Sequence, residues 1–221
     1  MTVYTGKDQD RRYVGEHADV TYSLKRCIHA KECVNRLASV FDPNKRPWIQ
    51  VGETPADALA EVVERCPSGA LHHERKDGGA PEATPANNTI SLWADGPLQL
   101  SGDLVLSGAT VDISGETRAT LCRCGASKNK PFCDNSHHDI AFKAEVKPAP
   151  ESTPTLSTTG GQLRVTAHPN GPLQADGALT LTNERGEVIF AGERTFLCRC
   201  GQSNNKPFCD GSHHAAHFEA E

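Results

Sequence analysis

Residues 121–138 read LCRCGASKNKPFCDNSHH, and residues 197–214 read LCRCGQSNNKPFCDGSHH. Cys122, Cys124, Cys133 and His137 of the first stretch recur as Cys198, Cys200, Cys209 and His213, each displaced by 76 residues. Three thiols and one imidazole at a fixed spacing, written twice, describe two soft-metal sites. The Cys-x-Cys pair lets two thiolates converge from an extended loop. The eight-residue gap, with Gly125 or Gly201 near its start and Pro131 or Pro207 near its end, returns the chain for a third. Asp134 or Asp210, followed by Ser136 or Ser212, suits the cap of a helical turn from which His137 or His213 faces the same point.

The repetition extends upstream. Gly96-Pro97-Leu98-Gln99 matches Gly171-Pro172-Leu173-Gln174 at an offset of 75, so each half is a duplicated unit and one residue is inserted between the two matching blocks. Short alternating runs at 89–93, 104–106 and 110–113, and again at 162–166, 178–182 and 187–190, predict strands whose last member delivers the metal loop.

Composition divides the 221 residues further. A first module, 1–76, holds Cys27, Cys33 and Cys66; 77–87 is a Pro/Gly/Ala/Asn linker; 88–146 and 147–161 are a second module and a second spacer; 162–221 is the third module. Aromatic content of 5% leaves small modules short of core side chains, a condition that bound metal relieves. In the first module, Tyr22–Lys25 reads as a strand or turn and Cys33–Val40 as a short helix. Residues 55–66 read as a helix with Leu59, Val62, Val63 and Cys66 on one face. The fold class expected is α+β.

Nine cysteines, an odd count, with no apolar leader in MTVYTGKDQDRRYVG and no membrane-length apolar run, point to a soluble protein of a reducing compartment, the cytoplasm. A net charge of −5 provides no field for nucleic acid, and no phosphate loop or catalytic triad marks an enzyme. His138 and His214, adjacent to the proposed ligands, point elsewhere in a helical turn. Arg123 and Arg199 are read either as donors to a metal-bound sulfur or as solvated side chains.

Cys3His sets suit tetrahedral zinc or an iron–sulfur cluster. Zinc knuckles space their first cysteines by two to four residues, and the spacing of one here favours the cluster. The motif C-x-C-x2-S-x3-P-x-C-D-G-S-H resembles that of the CDGSH, or mitoNEET-like, [2Fe-2S] proteins. The second repeat matches it throughout, and the first carries Asn135 in place of Gly. The resemblance implies one iron held by Cys122 and Cys124 and the other by Cys133 and His137, with Cys198 and Cys200 set against Cys209 and His213 in the second repeat. It also implies that the two halves form a pseudo-dimer within one chain, in a monomeric protein.

Cys27-x5-Cys33 with a distant Cys66-Pro67-Ser68-Gly69-Ala70-Leu71 resembles the divergent single-cluster ferredoxin domains, with Ala30 at the usual second cysteine. Three thiolates suit [3Fe-4S]; [4Fe-4S] needs a fourth ligand, such as His29 or solvent. Together these readings predict a non-enzymatic electron carrier or redox adaptor whose partner is a redox protein. The alternatives are a store, sensor or donor of clusters to an apo acceptor, and a structural metalloprotein.

Overall fold

A computed structural model describes residues 3–144, 155–156 and 158–220. The chain forms two compact units. One comprises residues 6–83; the other comprises residues 84–220 together with the first few residues of the chain. The spacer read from Lys147 lies largely outside the described residues.

In the first unit, β1 (Arg11–Tyr13), β2 (Ala18–Tyr22) and β3 (Leu71–Arg75) form an antiparallel sheet in the order β1-β2-β3. Two short helices complete it, α1 (Glu32–Arg36) and α2 (Ala56–Val63). Val20, Phe41, Ile49, Leu59, Val63 and Leu71 make the centre of its core. Burying these aliphatic and aromatic side chains drives the unit together. The helix read through Cys66 ends at Val63. The chain then turns, with the Cys66 amide donating to the Val63 carbonyl at 3.0 Å. Pro67 disfavours helical conformation in the residue before it, so Cys66 leaves the helix face and enters a turn. The short helix read at Cys33–Val40 begins earlier, at Glu32, and ends at Arg36. The Tyr22–Lys25 segment is the end of β2 followed by a turn.

The second unit is a six-stranded sheet. Its strands are β4 (Thr89–Leu92), β5 (Leu98–Gly108), β6 (Val111–Leu121), β7 (Gln162–Ala167), β8 (Leu173–Thr182) and β9 (Val188–Leu197). Several of these are about twice as long as the alternating runs in the sequence. Register shifts interrupt β5 between Ser101 and Leu104 and β8 between Asp176 and Leu179. A bulge changes which face the following side chains occupy, so simple alternation shows only a fragment of each strand.

The pairing of the halves is reciprocal. β4 runs antiparallel to β5 of its own half and parallel to β8 of the other; β7 runs antiparallel to β8 of its own half and parallel to β5 of the other. Buried Asn88 secures the crossing. Its amide nitrogen donates to the Gly161 and Ala178 carbonyls, and its oxygen accepts the Asp103 amide. Tyr4 joins this unit through backbone hydrogen bonds with Thr110 and Asp112 and an edge-to-face contact with Phe132.

β6 and β9 end at Leu121 and Leu197, immediately before the two Cys-x-Cys pairs. There the halves meet backbone to backbone. A Cβ on Gly125 (φ +84°) would lie 2.3 Å from the Cys200 carbonyl oxygen, and one on Gly201 (φ +78°) 2.4 Å from that of Cys124. At Gly211 (φ +86°) nothing lies within 4 Å, and its counterpart Asn135 adopts φ 71°. Asn enters this left-handed region more readily than most residues. Gly201→Ala should therefore cost about 2–3 kcal/mol, from the left-handed backbone plus the clash. Gly211→Asn should cost under about 1 kcal/mol. Denaturant unfolding of the metal-loaded variants checks this, and equal stabilities would mean that the loops do not meet as described.

Candidate metal centres

Each later site is built from a strand end, a returning loop and one helical turn. In the first, the Cys122 amide donates to the Pro131 carbonyl at 2.8 Å and the Cys133 amide to the Thr120 carbonyl at 3.0 Å. The third cysteine is thus locked beside the strand that carries the first. Ser127 Oγ donates to the Phe132 carbonyl at 2.7 Å and accepts the Asn129 amide. Asp134 accepts the Lys128 amide on one oxygen and the Ser136 amide and hydroxyl on the other. These bonds hold α3 (Ser136–Asp139), which carries His137. The second site repeats the frame: Cys198 donates to Pro207, Cys209 to Phe196, Ser203 to Phe208, and Asn204 and Ser212 to the Asp210 carboxylate, ending in α4 (Ser212–Ala215) with His213.

Cys122 Sγ lies 3.7 Å from Cys124 Sγ, and Cys198 Sγ the same distance from Cys200 Sγ. Cys133 Sγ lies 3.6 Å from His137 Nδ1, and Cys209 Sγ 3.5 Å from His213 Nδ1. A tetrahedral metal with bonds of about 2.3 Å to sulfur and about 2.0 Å to nitrogen sets two sulfurs about 3.8 Å apart, and a sulfur and nitrogen about 3.5 Å apart. Every pair therefore stands at the separation expected of two ligands on one tetrahedral metal, and Nδ1 is the histidine nitrogen nearest the cysteine sulfur. Among the described residues, no three His, Cys, Asp or Glu side chains gather into a single-ion cage. The donors meet as two pairs per site.

The electrostatics suit a metal that displaces protons. Burial pushes the Cys133 and Cys200 thiols up to about 11. Within the first pair, the hydrogen bond between the sulfurs raises Cys122 and lowers Cys124, because one proton serves both. Burial also lowers His137 and His213, favouring the neutral imidazole that can donate a lone pair.

The arginines between the paired cysteines are buried anchors rather than solvated side chains. Arg123 is 3% exposed and Arg199 1%. Arg123 Nε and Nη2 donate to the Gly96 and Trp93 carbonyls at 2.9 and 2.8 Å, and its guanidinium carbon sits 5.5 Å from the Phe142 ring centre. Arg199 does the same with Gly171, His168 and Phe218. The Gly-Pro-Leu-Gln blocks are thus tied to the metal loops, a role visible in the sequence only as their shared repetition. His138 and His214 are exposed and stack beside the proposed ligands with ring centres 4.1 Å apart.

In the first unit, Cys27, Cys33 and Cys66 line one cavity of about 560 Å³, together with Tyr22, Trp48 and Ala30. Burial pushes Cys33 up to about 11, reinforced by the charge of Cys66, and also raises Cys27. The Cys27 sulfur accepts hydrogen bonds from the His29 amide and the Tyr22 side chain, and His29 Nδ1 lies 3.6 Å away. Buried Arg26 Nε and Nη2 donate to the Ser68 carbonyl at 3.2 and 2.8 Å, tying the Cys66 turn to the Cys27 loop. Tyr22, Arg26 and Ser68 were not singled out from the sequence. An arginine next to a cysteine in all three sites was the available signal.

Three half-buried thiols lining one cavity fit a multi-thiolate cluster, and the paired donors of the second unit fit metal bound two ligands at a time. None of the nine cysteines forms a disulfide. Among the described residues, no helix is long and apolar enough to cross a membrane.

Comparison with known proteins agrees with this chemistry. The family described as iron-binding zinc finger, CDGSH type, matches residues 95–138 and 170–214, and the family described as divergent 4Fe-4S mono-cluster matches residues 13–76. The N-terminal domain is similar to the uncharacterized protein YjdI of Escherichia coli, in strains K12 and O157:H7. In each case identity is 35% over 66 residues, covering 30% of this chain and 87% of the relative. The chain is thus an iron–sulfur protein that belongs to the CDGSH family through its two repeats and to the divergent mono-cluster ferredoxin family through its N-terminal domain.

Proposed function

We propose that this protein is a multi-cluster electron carrier, with a [2Fe-2S] cluster in each CDGSH repeat and a [3Fe-4S] or [4Fe-4S] cluster in the N-terminal domain. The carrying observation is the pairing of donors at tetrahedral-edge distances. Cys122 with Cys124, and Cys133 with His137, would each hold one iron; Cys198 with Cys200, and Cys209 with His213, would do so in the second repeat. A [2Fe-2S] cluster so held supplies one-electron redox chemistry, at a potential raised by the neutral imidazole relative to an all-cysteine site. Cys27, Cys33 and Cys66 would hold the N-terminal cluster, with Ala30 and His29 beside the place a fourth ligand would occupy.

The halves are read as a pseudo-dimer within one chain. Reciprocal parallel pairing of β4 with β8 and of β7 with β5 supports this, as do the mirrored Gly125 and Gly201 contacts. A redox protein is the partner this reading requires, in a reducing compartment such as the cytoplasm that keeps the thiols free.

One observation favours a second reading, donation of clusters to an apo acceptor. Cys209 and His213 are half-buried whereas Cys133 and His137 are buried, so the second repeat opens its histidine-ligated iron to solvent and to an acceptor.

Anaerobic purification with iron, sulfide and zinc analysis tests the assignment. About seven irons per chain are expected with a [3Fe-4S] centre and about eight with a cubane. Cys66→Ser should abolish the N-terminal EPR signal alone. Stoichiometric zinc without acid-labile sulfide would overturn the electron-carrier reading.

Acid should act through the histidines. Burial, and then the neighbouring His138 or His214, holds both imidazoles below their ordinary range, so the folded state binds fewer protons than the unfolded chain near the ordinary value of about 6.5. The stability they contribute is present above that value and is lost as pH falls through the depressed one. Bleaching in mild acid should begin at the more open second repeat. His213→Cys should remove that early phase and His137→Cys should leave it, as followed by visible absorbance; an early phase that persists in His213→Cys would count against His213 as ligand.

A further inference from the structure

The cavity lined by Cys27, Cys33 and Cys66 has an outer rim with no part in holding metal. Leu24, in the turn after β2, lines it and is 69% exposed, and Pro43, Pro47 and Trp48 add further apolar lining. Three cations line the same cavity. Arg11, Lys31 and Arg46 are all exposed, and none has a carboxylate partner among the described residues. Arg46 is held in place by its own loop, Nη1 donating to the Pro43 and Lys45 carbonyls at 2.9 and 2.7 Å. The one carboxylate among the lining residues, Glu32, is taken up by Arg36 at 2.6 Å, so it leaves the three cations unneutralised.

An exposed leucine by itself is ordinary. Set among unpaired charges of one sign at the opening of a redox site, it has the apolar-centre, polar-rim anatomy of a protein interface. Buried Arg26 already supplies a cation on the inner side of the Cys27 loop, whereas Arg11, Lys31 and Arg46 stand in water and face outward. The sign of the rim selects the partner. The chain as a whole carries a net charge of −5, so an acidic protein is repelled by it on average and attracted at this opening. That contrast steers such a partner to one orientation, with its contact face over the cavity.

We propose that the rim formed by Arg11, Leu24, Lys31 and Arg46 is the docking surface for an acidic one-electron carrier protein. The inference rests on the electron-carrier reading and on a cluster held by Cys27, Cys33 and Cys66. One electron crosses the opening between that cluster and the carrier's own centre, one being oxidised as the other is reduced, with no bond made or broken.

The test uses the full-length protein, loaded anaerobically, reduced with dithionite and freed of the excess. It is mixed in a stopped-flow apparatus with ferric cytochrome c, a basic protein, or with its succinylated form, in which the lysines have been made acidic. Each ferric haem takes up one electron as one cluster is oxidised, and ferrous haem absorbance follows the rate. The phase that Cys66→Ser removes should be faster with the succinylated acceptor and should slow as salt is raised. Combined Arg11→Gln, Lys31→Gln and Arg46→Gln should slow that phase about tenfold and flatten its salt dependence. The same variant should react faster with unmodified cytochrome c, which a change in driving force alone would not produce. Leu24→Asn should lower the rate with the succinylated acceptor at every salt concentration and leave its salt dependence unchanged. EPR of the N-terminal centre confirms loading; should the combined variant fail to load, Arg11→Gln and Arg46→Gln singly, each slowing the phase by a smaller factor, decide. No preference for the succinylated acceptor in the Cys66-dependent phase, or a combined variant with wild-type rate and salt dependence, would overturn the proposal and leave the electron-carrier reading standing. Failure of the reduced protein to reduce either acceptor would overturn both.

Discussion

Two backbone hydrogen bonds per repeat, from Cys122 to Pro131 and from Cys133 to Thr120 with their counterparts Cys198 to Pro207 and Cys209 to Phe196, place the third thiol of each site beside the first two. Without them, an eight-residue loop would have to be ordered by the metal alone, at a large cost in chain entropy. With them, the strand end already presents donors near bonding separation, and the metal has mainly to displace protons. The Ser127 and Asp134 bonds extend this logic to the histidine, whose helical turn is too short to be stable alone.

The duplicated sheet serves the same end. Each half lends a strand to the other, so the long strands β5 and β8 are paired along their length and neither metal loop hangs from an isolated hairpin. In the same sheet the two Cys-x-Cys loops meet backbone to backbone. Glycine at 125 and 201 is the residue that this approach tolerates.

The N-terminal unit reaches a related result by other means. Its thiols come from a loop before α1, the start of α1 itself and a turn after α2, and Arg26 joins the first and last of these. A buried guanidinium grasping carbonyls, one residue from a proposed ligand, recurs in all three sites. It rigidifies a loop and leaves a positive charge beside thiolates that would otherwise repel one another.

The sequence alone determined what depends on local spacing: which cysteine and histidine side chains pair at close range, that the halves are duplicates, and that Asn135 can stand where Gly211 does. These are legible because a ligand set and a left-handed turn are set by neighbours along the chain. It misplaced Cys66 on a helix face because periodicity continues through a residue that the following proline turns out of the helix. It read the strands too short because bulges break alternation. Only the tertiary structure decided which half each strand pairs with, that Arg123 and Arg199 are buried on carbonyls about thirty residues upstream, and that among the described residues one arm of Arg199 has no acceptor. Those outcomes depend on pairings between distant segments, and burial and hydrogen-bond satisfaction exist only once the segments have met.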